Sequence, residues 1–77
     1  MIDYDSAIPP YLQVANLLER RIRSGELAPG ARVPSITTLS QEFGIAKNTA
    51  RRALMTLAER ELVEIIPGWG TFVAKTR

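Results

Sequence analysis

The sequence contains neither cysteine nor histidine. Without Cys, no disulfide and no thiolate metal ligand can reinforce the chain. Without His, the imidazole ligand, the Ser-His and Cys-His nucleophile pairs and the usual general base near neutral pH are all missing. An enzyme would have to rely on carboxylates, Lys, Tyr or Ser, in a chain of 77 residues with little room for a pocket. The sequence therefore reads as non-enzymatic, with no cofactor and no metal. It also lacks an apolar run of the roughly eighteen residues that a membrane-spanning helix needs. The opening residues carry Asp3 and Asp5 in place of a cationic start and an apolar stretch, so they do not read as a signal peptide. A cytoplasmic protein with no membrane partner is expected. A charge excess is lacking too. Ten basic and eight acidic residues leave a net +2, weak support for a nucleic-acid partner until the placement of the charges is known.

At this length the chain makes one domain with a small core. Residues 1–8 are polar and aperiodic and are expected to fray. From Pro9-Pro10 onward, Val14, Leu17, Leu18 and Ile22 fall on one helical face, which predicts a helix over 10–24. Arg20, Arg21 and Arg23 gather in its last turn, where the helix dipole favours them, and they read as a solvated helix end. Leu27-Ala28-Pro29-Gly30 is turn chemistry, and Arg32-Val33-Pro34 is extended because Val33 precedes a proline. Ser35 suits the N-cap of a second helix over 36–43, with Ile36, Leu39 and Phe43 on one face. Gly44 ends it, and Ile45 is expected to fold back into the core.

A third helix is predicted over 47–60. Ala50, Ala53, Leu54 and Leu57 lie within about 100° on a helical wheel, while Lys47, Asn48, Arg51 and Arg52 occupy an arc of about 140° on the other side. No acid occurs between positions 43 and 58. Leu62–Ile66 and Thr71–Ala74 suit two strands of a hairpin, joined by Pro67-Gly68-Trp69-Gly70. The fold class is mainly α with a small two- to three-stranded antiparallel sheet.

Two helices joined by Gly44-Ile45-Ala46 match the helix-turn-helix outline, in which the start of the second helix reaches base edges in the major groove. Here those positions hold Lys47, Asn48, Thr49 and Arg51, side chains that meet phosphates or the edges of adenine and guanine. Any one of them alone reads better as a solvated helix face; as an acid-free cluster they favour DNA. The hairpin reads either as a structural end to the sheet or as a wing laid on DNA. Gly68 and Gly70 supply positive dihedrals in both readings. Trp69 is expected to pack back onto the strands, with an exposed contact as the alternative. Gly68-x-Gly70 is not a phosphate loop, because no helix follows it.

Taken in order, several segments resemble one family. They are Pro10-Tyr11-Leu12-Gln13-Val14, Ile22-Arg23-Ser24-Gly25-Glu26-Leu27-Ala28-Pro29-Gly30, Val33-Pro34-Ser35 and Phe43-Gly44-Ile45. They continue with Thr49-Ala50-Arg51-Arg52-Ala53-Leu54, Leu57, Leu62-Val63 and Gly68-Trp69-Gly70-Thr71-Phe72-Val73. Over Pro10 to Val73 the chain resembles the N-terminal winged helix-turn-helix domain of GntR-type bacterial transcription regulators.

That resemblance implies a winged helix-turn-helix over 9–74 that binds an operator in double-stranded DNA, most often as part of a repressor. It aligns the family's DNA-contacting positions with Lys47, Asn48, Thr49 and Arg51, and the wing-tip glycine with Gly68; Ser35 is placed to cap the second helix and meet a phosphate. Arg52 shares the basic face. Thr37 stands where an arginine is common, and Ala46 where a Ser or Thr usually opens the recognition helix. Glu64, Ile65, Ile66 and Pro67 stand where basic residues are common in the wing. Relatives carry a C-terminal domain that binds a small effector and makes a homodimer on a two-fold symmetric operator, so residues 75–77 are expected to begin a linker. The alternative is a winged helix that binds another protein and no specific DNA.

Overall fold

Pro9 and Pro10 start the first helix without a capping side chain, because the first helical positions need no N–H donor. In the computed structural model, which describes residues 2–75, this helix, α1, runs Pro10–Arg23 and buries Val14, Ala15 and Leu18. Helix α2 spans Ile36–Phe43 and α3 spans Lys47–Glu59. Strands β1, Val63–Ile66, and β2, Gly70–Val73, pair antiparallel with Val63 opposite Val73 and Ile66 opposite Gly70. The predicted elements stand, with ends displaced by a residue or so.

The local signals act as their chemistry dictates. Ser35 Oγ accepts the Thr38 N–H at 3.1 Å and so caps α2. Gly44 closes α2 in the left-handed region at φ 64°, and Ile45 turns back into the core. At the end of α3 the same left-handed turn falls on Glu61, φ 62°, where the Leu62 N–H reaches the Leu57 carbonyl and sends the chain into β1. The segment before α2 adds the start of a third strand. Arg32 bridges Phe72, and the Val33 N–H donates to the Thr71 carbonyl at 2.8 Å.

The core is one cluster. Leu18 of α1, Leu39 of α2 and Leu57 of α3 are fully buried and meet Val33, Val63 and Val73 from the sheet. Each such leucine contributes about 1.5–3 kcal/mol by leaving water. Ala50 and Ala53 are also fully buried, and their small side chains let α3 lie close against its neighbours.

The N-terminal segment departs from expectation over residues 2–8. Ile2 belongs to the core, and Gln13 fastens the segment. Its Oε1 accepts the Asp3 N–H at 2.9 Å, and its Nε2 donates to the Asp3 and Ile8 carbonyls, both at 2.8 Å. The Tyr4 hydroxyl donates to the Gly44 carbonyl at 3.3 Å, joining this segment to the turn between α2 and α3. An expectation based on polarity missed one buried apolar side chain and one glutamine that satisfies the backbone around it. Of the expected linker residues 75–77, Thr76 and Arg77 lie outside the described residues.

Ion pairs tie the helices together. Glu19 of α1 accepts from Arg23 at 2.7 Å and from Arg60 at 2.8 Å, and Arg60 also donates to Asn16 at 3.0 Å. The hydrogen bond from Arg23, reinforced by Arg60 and opposed by partial burial, holds the Glu19 carboxyl below the usual glutamate range. Arg21 donates to Glu42 of α2 at 2.7 Å, which raises the Arg21 pKa further.

Two outcomes follow from these contacts. Gln13→Ala should destabilise the fold by about 1–2 kcal/mol in denaturant unfolding and speed hydrogen exchange at the Asp3 amide; a frayed segment would leave both unchanged. Because the folded pKa of Glu19 lies below its unfolded value, its contribution is complete well above about pH 4.3 and is lost as the pH falls through the folded value. The gap in melting temperature between wild type and Glu19→Gln should therefore be present at neutral pH and close in acid. A gap independent of pH would refute the role of the charge.

Candidate nucleic-acid interface

The face of α3 opposite its buried stripe is built by helical spacing alone. Ala50, Ala53, Leu54 and Leu57 turn inward, which leaves Lys47, Asn48, Arg51 and Arg52 exposed on the outside and Thr49 half-buried at the margin. Met55, half exposed, extends the same face by one turn. Ala46 offers no capping side chain, so the first N–H groups of α3 are not met by one.

The basic residues divide into committed and uncommitted groups. Arg21, Arg23 and Arg60 are in ion pairs with carboxylates. Among the described residues, Lys47 and Arg51 have no such carboxylate partner. Arg52 differs from the other two cations of α3. Its guanidinium lies 4.0 Å from the centre of the Tyr11 ring of α1, within cation–π range. This contact fixes Arg52 toward α1, while Lys47 and Arg51 project from α3 alone.

At the start of α2, Ser35 and Thr37 are exposed beside α3 and the hairpin. The Ser35 hydroxyl also donates to Thr38 Oγ1 at 3.0 Å. A phosphate can only accept, so donating to one would require Ser35 to release Thr38. Thr38, whose own hydroxyl hydrogen can turn outward, is a donor that the sequence reading did not single out. A cleft of about 360 Å³ runs from Ser35 and Thr37 past Leu54 to Ile65 and Gly70, so the start of α2, the middle of α3 and the hairpin share one surface.

The hairpin turn is tightly specified. The Trp69 N–H donates to the Ile66 carbonyl at 3.0 Å across Pro67 and Gly68, and Gly68 at φ 80° fits the third position of a type II turn. Gly70 has φ 135°, and a Cβ there would sit 3.0 Å from the Arg32 guanidinium. Arg32 donates to the Trp69 carbonyl at 2.7 Å and lies 5.9 Å from the centre of the Phe72 ring. Trp69 does not pack back onto the strands as expected; it is 72% exposed. Both turn bonds use its backbone, and its side chain borders an open hollow beside Glu64, Ile66 and Phe72.

The structure thus places Lys47, Asn48, Thr49, Arg51 and Arg52 on α3, Ser35 and Thr37 at the head of α2, and Gly68 at the tip of the hairpin; the cleft joins Ser35 and Thr37 to the middle of α3 and to the hairpin, and Gly68 does not line it. The sequence reading gave no role to Tyr11 or Arg32. Tyr11 lies 41 residues before Arg52 in the chain, and nothing local links the two. Arg32 precedes an extended Val-Pro pair, the one hint that it pairs with the hairpin.

Three helices with a helix-turn-helix at α2–α3 and an antiparallel hairpin after α3 define a winged helix-turn-helix domain. The sequence pattern of bacterial regulatory proteins of the gntR family matches residues 10–73, and the chain belongs to that family. It is 41% identical over 69 residues to the mannosyl-D-glycerate transport/metabolism system repressor MngR of Escherichia coli, covering 90% of this chain and 29% of the relative. It is 38% identical over 76 residues to the HTH-type transcriptional repressor NagR of Bacillus subtilis, covering 99% of this chain and 31% of the relative. The chain therefore spans about three-tenths of the length of these relatives. Among solved structures, the DNA-binding domain of AraR in complex with operator ORX1 superposes with a TM-score of 0.87 at 29% identity, covering 96% of this chain and 95% of that one. The domain is a gntR-family DNA-binding domain.

The Tyr11–Arg52 contact is testable through stability. A double-mutant cycle of Tyr11→Leu and Arg52→Met, read by chemical denaturation, should return a coupling of about 0.5–1 kcal/mol. Additive single effects would mean that the stack contributes nothing.

Proposed function

We propose that this domain reads a specific sequence in double-stranded DNA, with α3 in the major groove and the β1–β2 hairpin as a wing. The observation that carries this reading is the exposed face of α3. Lys47, Asn48 and Arg51 stand together there, engaged by no carboxylate among the described residues, on a helix whose opposite side is fixed in the core. In these roles Arg51 and Asn48 meet base edges, Lys47 and Thr49 meet phosphate or base, and Ser35, Thr37 and the Gly68 backbone meet the sugar-phosphate chain. Arg52, held by Tyr11, meets phosphate alongside.

Within a longer regulator the domain works in a homodimer on a two-fold symmetric operator, as a repressor answering a small effector bound elsewhere in the protein. The same reading makes it cytoplasmic and assigns it no reaction; among the described residues no helix is long and apolar enough to cross a membrane. A single domain binds weakly, since joining two half-site contacts raises avidity by about 10² to 10⁴.

Selection of bound duplexes from a random library, followed by titration of variants, tests this directly. Arg51→Ala should cost about 1–3 kcal/mol and loosen the preference at one base pair. Lys47→Ala should weaken binding across sequences and reduce the salt slope by about 0.9. If both variants match the parent in affinity and salt slope, α3 is not the reading helix, and binding of another protein by this fold becomes the better account.

A further inference from the structure

The hairpin has a face turned away from the core. Val63, Thr71 and Val73 are buried on one side of it, so alternation turns Glu64, Ile66 and Phe72 to the other. With Trp69 at the apex and Lys75 at the base, these side chains line an open hollow of about 570 Å³. Ile66 and Trp69 are exposed and Phe72 is half-buried, so three large apolar side chains meet water here. The hollow also holds one carboxylate and one ammonium. Among the described residues neither Glu64 nor Lys75 is in an ion pair. The strands set the spacing of these two charges. Glu64 stands opposite Phe72, and the Ala74 N–H donates to the Leu62 carbonyl at 2.9 Å, which carries the pairing one residue past β2 toward Lys75. At about 3.3 Å per residue, Lys75 lies roughly 10 Å beyond Phe72 along the hairpin.

We propose that this hollow is a self-association surface, covered by the same hollow of a second copy of the chain. The charges favour that occupant. A two-fold contact is isologous, so a face with an acid at one place and a base at another satisfies both when the two copies run antiparallel. With the axis midway between them, Lys75 of each copy comes over Glu64 of the other, and two identical ion pairs form. A partner carrying one sign of charge would leave either Glu64 or Lys75 unmatched. The same contact draws Ile66, Trp69 and Phe72 out of water. The face is small, well short of the roughly 20–30 residues that a stable interface places on each side, so isolated domains associate weakly through it. It gains weight where two copies are held together, at the roughly millimolar effective concentrations that a short tether gives. The contact goes beyond the DNA reading and does not need it, since the cleft beside α3 and the hollow share no lining residue.

The 77-residue chain, without DNA, tests this by NMR over a dilution series from millimolar to micromolar, with sedimentation equilibrium for the affinity. The indole peak of Trp69, the only tryptophan, and the amide peaks of Ile66 and Phe72 should move with concentration, while those of Lys47 and Asn48 stay in place. Glu64→Lys and Lys75→Glu should each weaken self-association about tenfold, because two ion pairs become two like-charge pairs. An equimolar mixture of these two variants should associate like the parent, since each Lys again meets a Glu across the contact. The double variant should do the same. Trp69→Ala should weaken association too. Circular dichroism of every variant should match the parent, because these three side chains are exposed. If no peak moves and the chain sediments as a monomer throughout, the proposal is overturned, and the hollow is left to a segment of the longer regulator or to a different protein. Single variants that associate like the parent, or a loss that neither mixing nor the double variant restores, would refute it equally.

Discussion

Everything in this small domain hangs on the inward stripe of α3. Ala50, Ala53, Leu54 and Leu57 are the surface against which α1, α2 and β1 all pack, so a single helix serves three neighbours. Two alanines in that stripe matter as much as the leucines, because they let a neighbouring helix approach without a side chain between the backbones. A chain of this size cannot spread its stability over several clusters. Concentrating it on one helix also fixes the outer face of that helix in space. The stripe that makes the fold is therefore what aims Lys47, Asn48 and Arg51.

Around this centre the polar contacts serve as bracing. Glu19 joins α1 to the residue just beyond α3, Arg21 joins α1 to α2, and Gln13 holds down the first residues of the chain. Arg32 does for the hairpin what Glu19 does for the helices. It is a single long side chain that crosses from one segment to stiffen another. Arg21, Arg23, Arg32 and Arg60 are thus structural, while Lys47 and Arg51 of α3 meet no carboxylate among the described residues.

Most of the fold was legible because its determinants are local. Ser35 caps, Gly44 turns left-handed, and the apolar period of α3 is unbroken over four residues that all proved buried. The main DNA-facing candidates were legible for the same reason, since the side of a helix opposite its buried stripe follows from spacing. What stayed hidden depends on partners distant along the chain. Gln13 gathers backbone groups ten and five residues away, Arg32 reaches 37 residues to Trp69, and Arg52 stacks on Tyr11 of another helix. No local pattern encodes such contacts. Trp69 was misplaced because a large apolar side chain is expected to seek cover, and nothing short-range shows that its backbone is held with the ring outside.

The separation between the two faces of α3 bears on how such a domain changes over time. Lys47, Asn48 and Arg51 cap nothing, fill no part of the core and hold no ion pair among the described residues. Exchanging them would leave the packing intact. The outer face of α3 can therefore change in small steps without first restoring lost stability. Arg52 is the exception, because its tie to Tyr11 couples the two requirements. Diversity among descendants of this chain should accumulate first where the structure asks least.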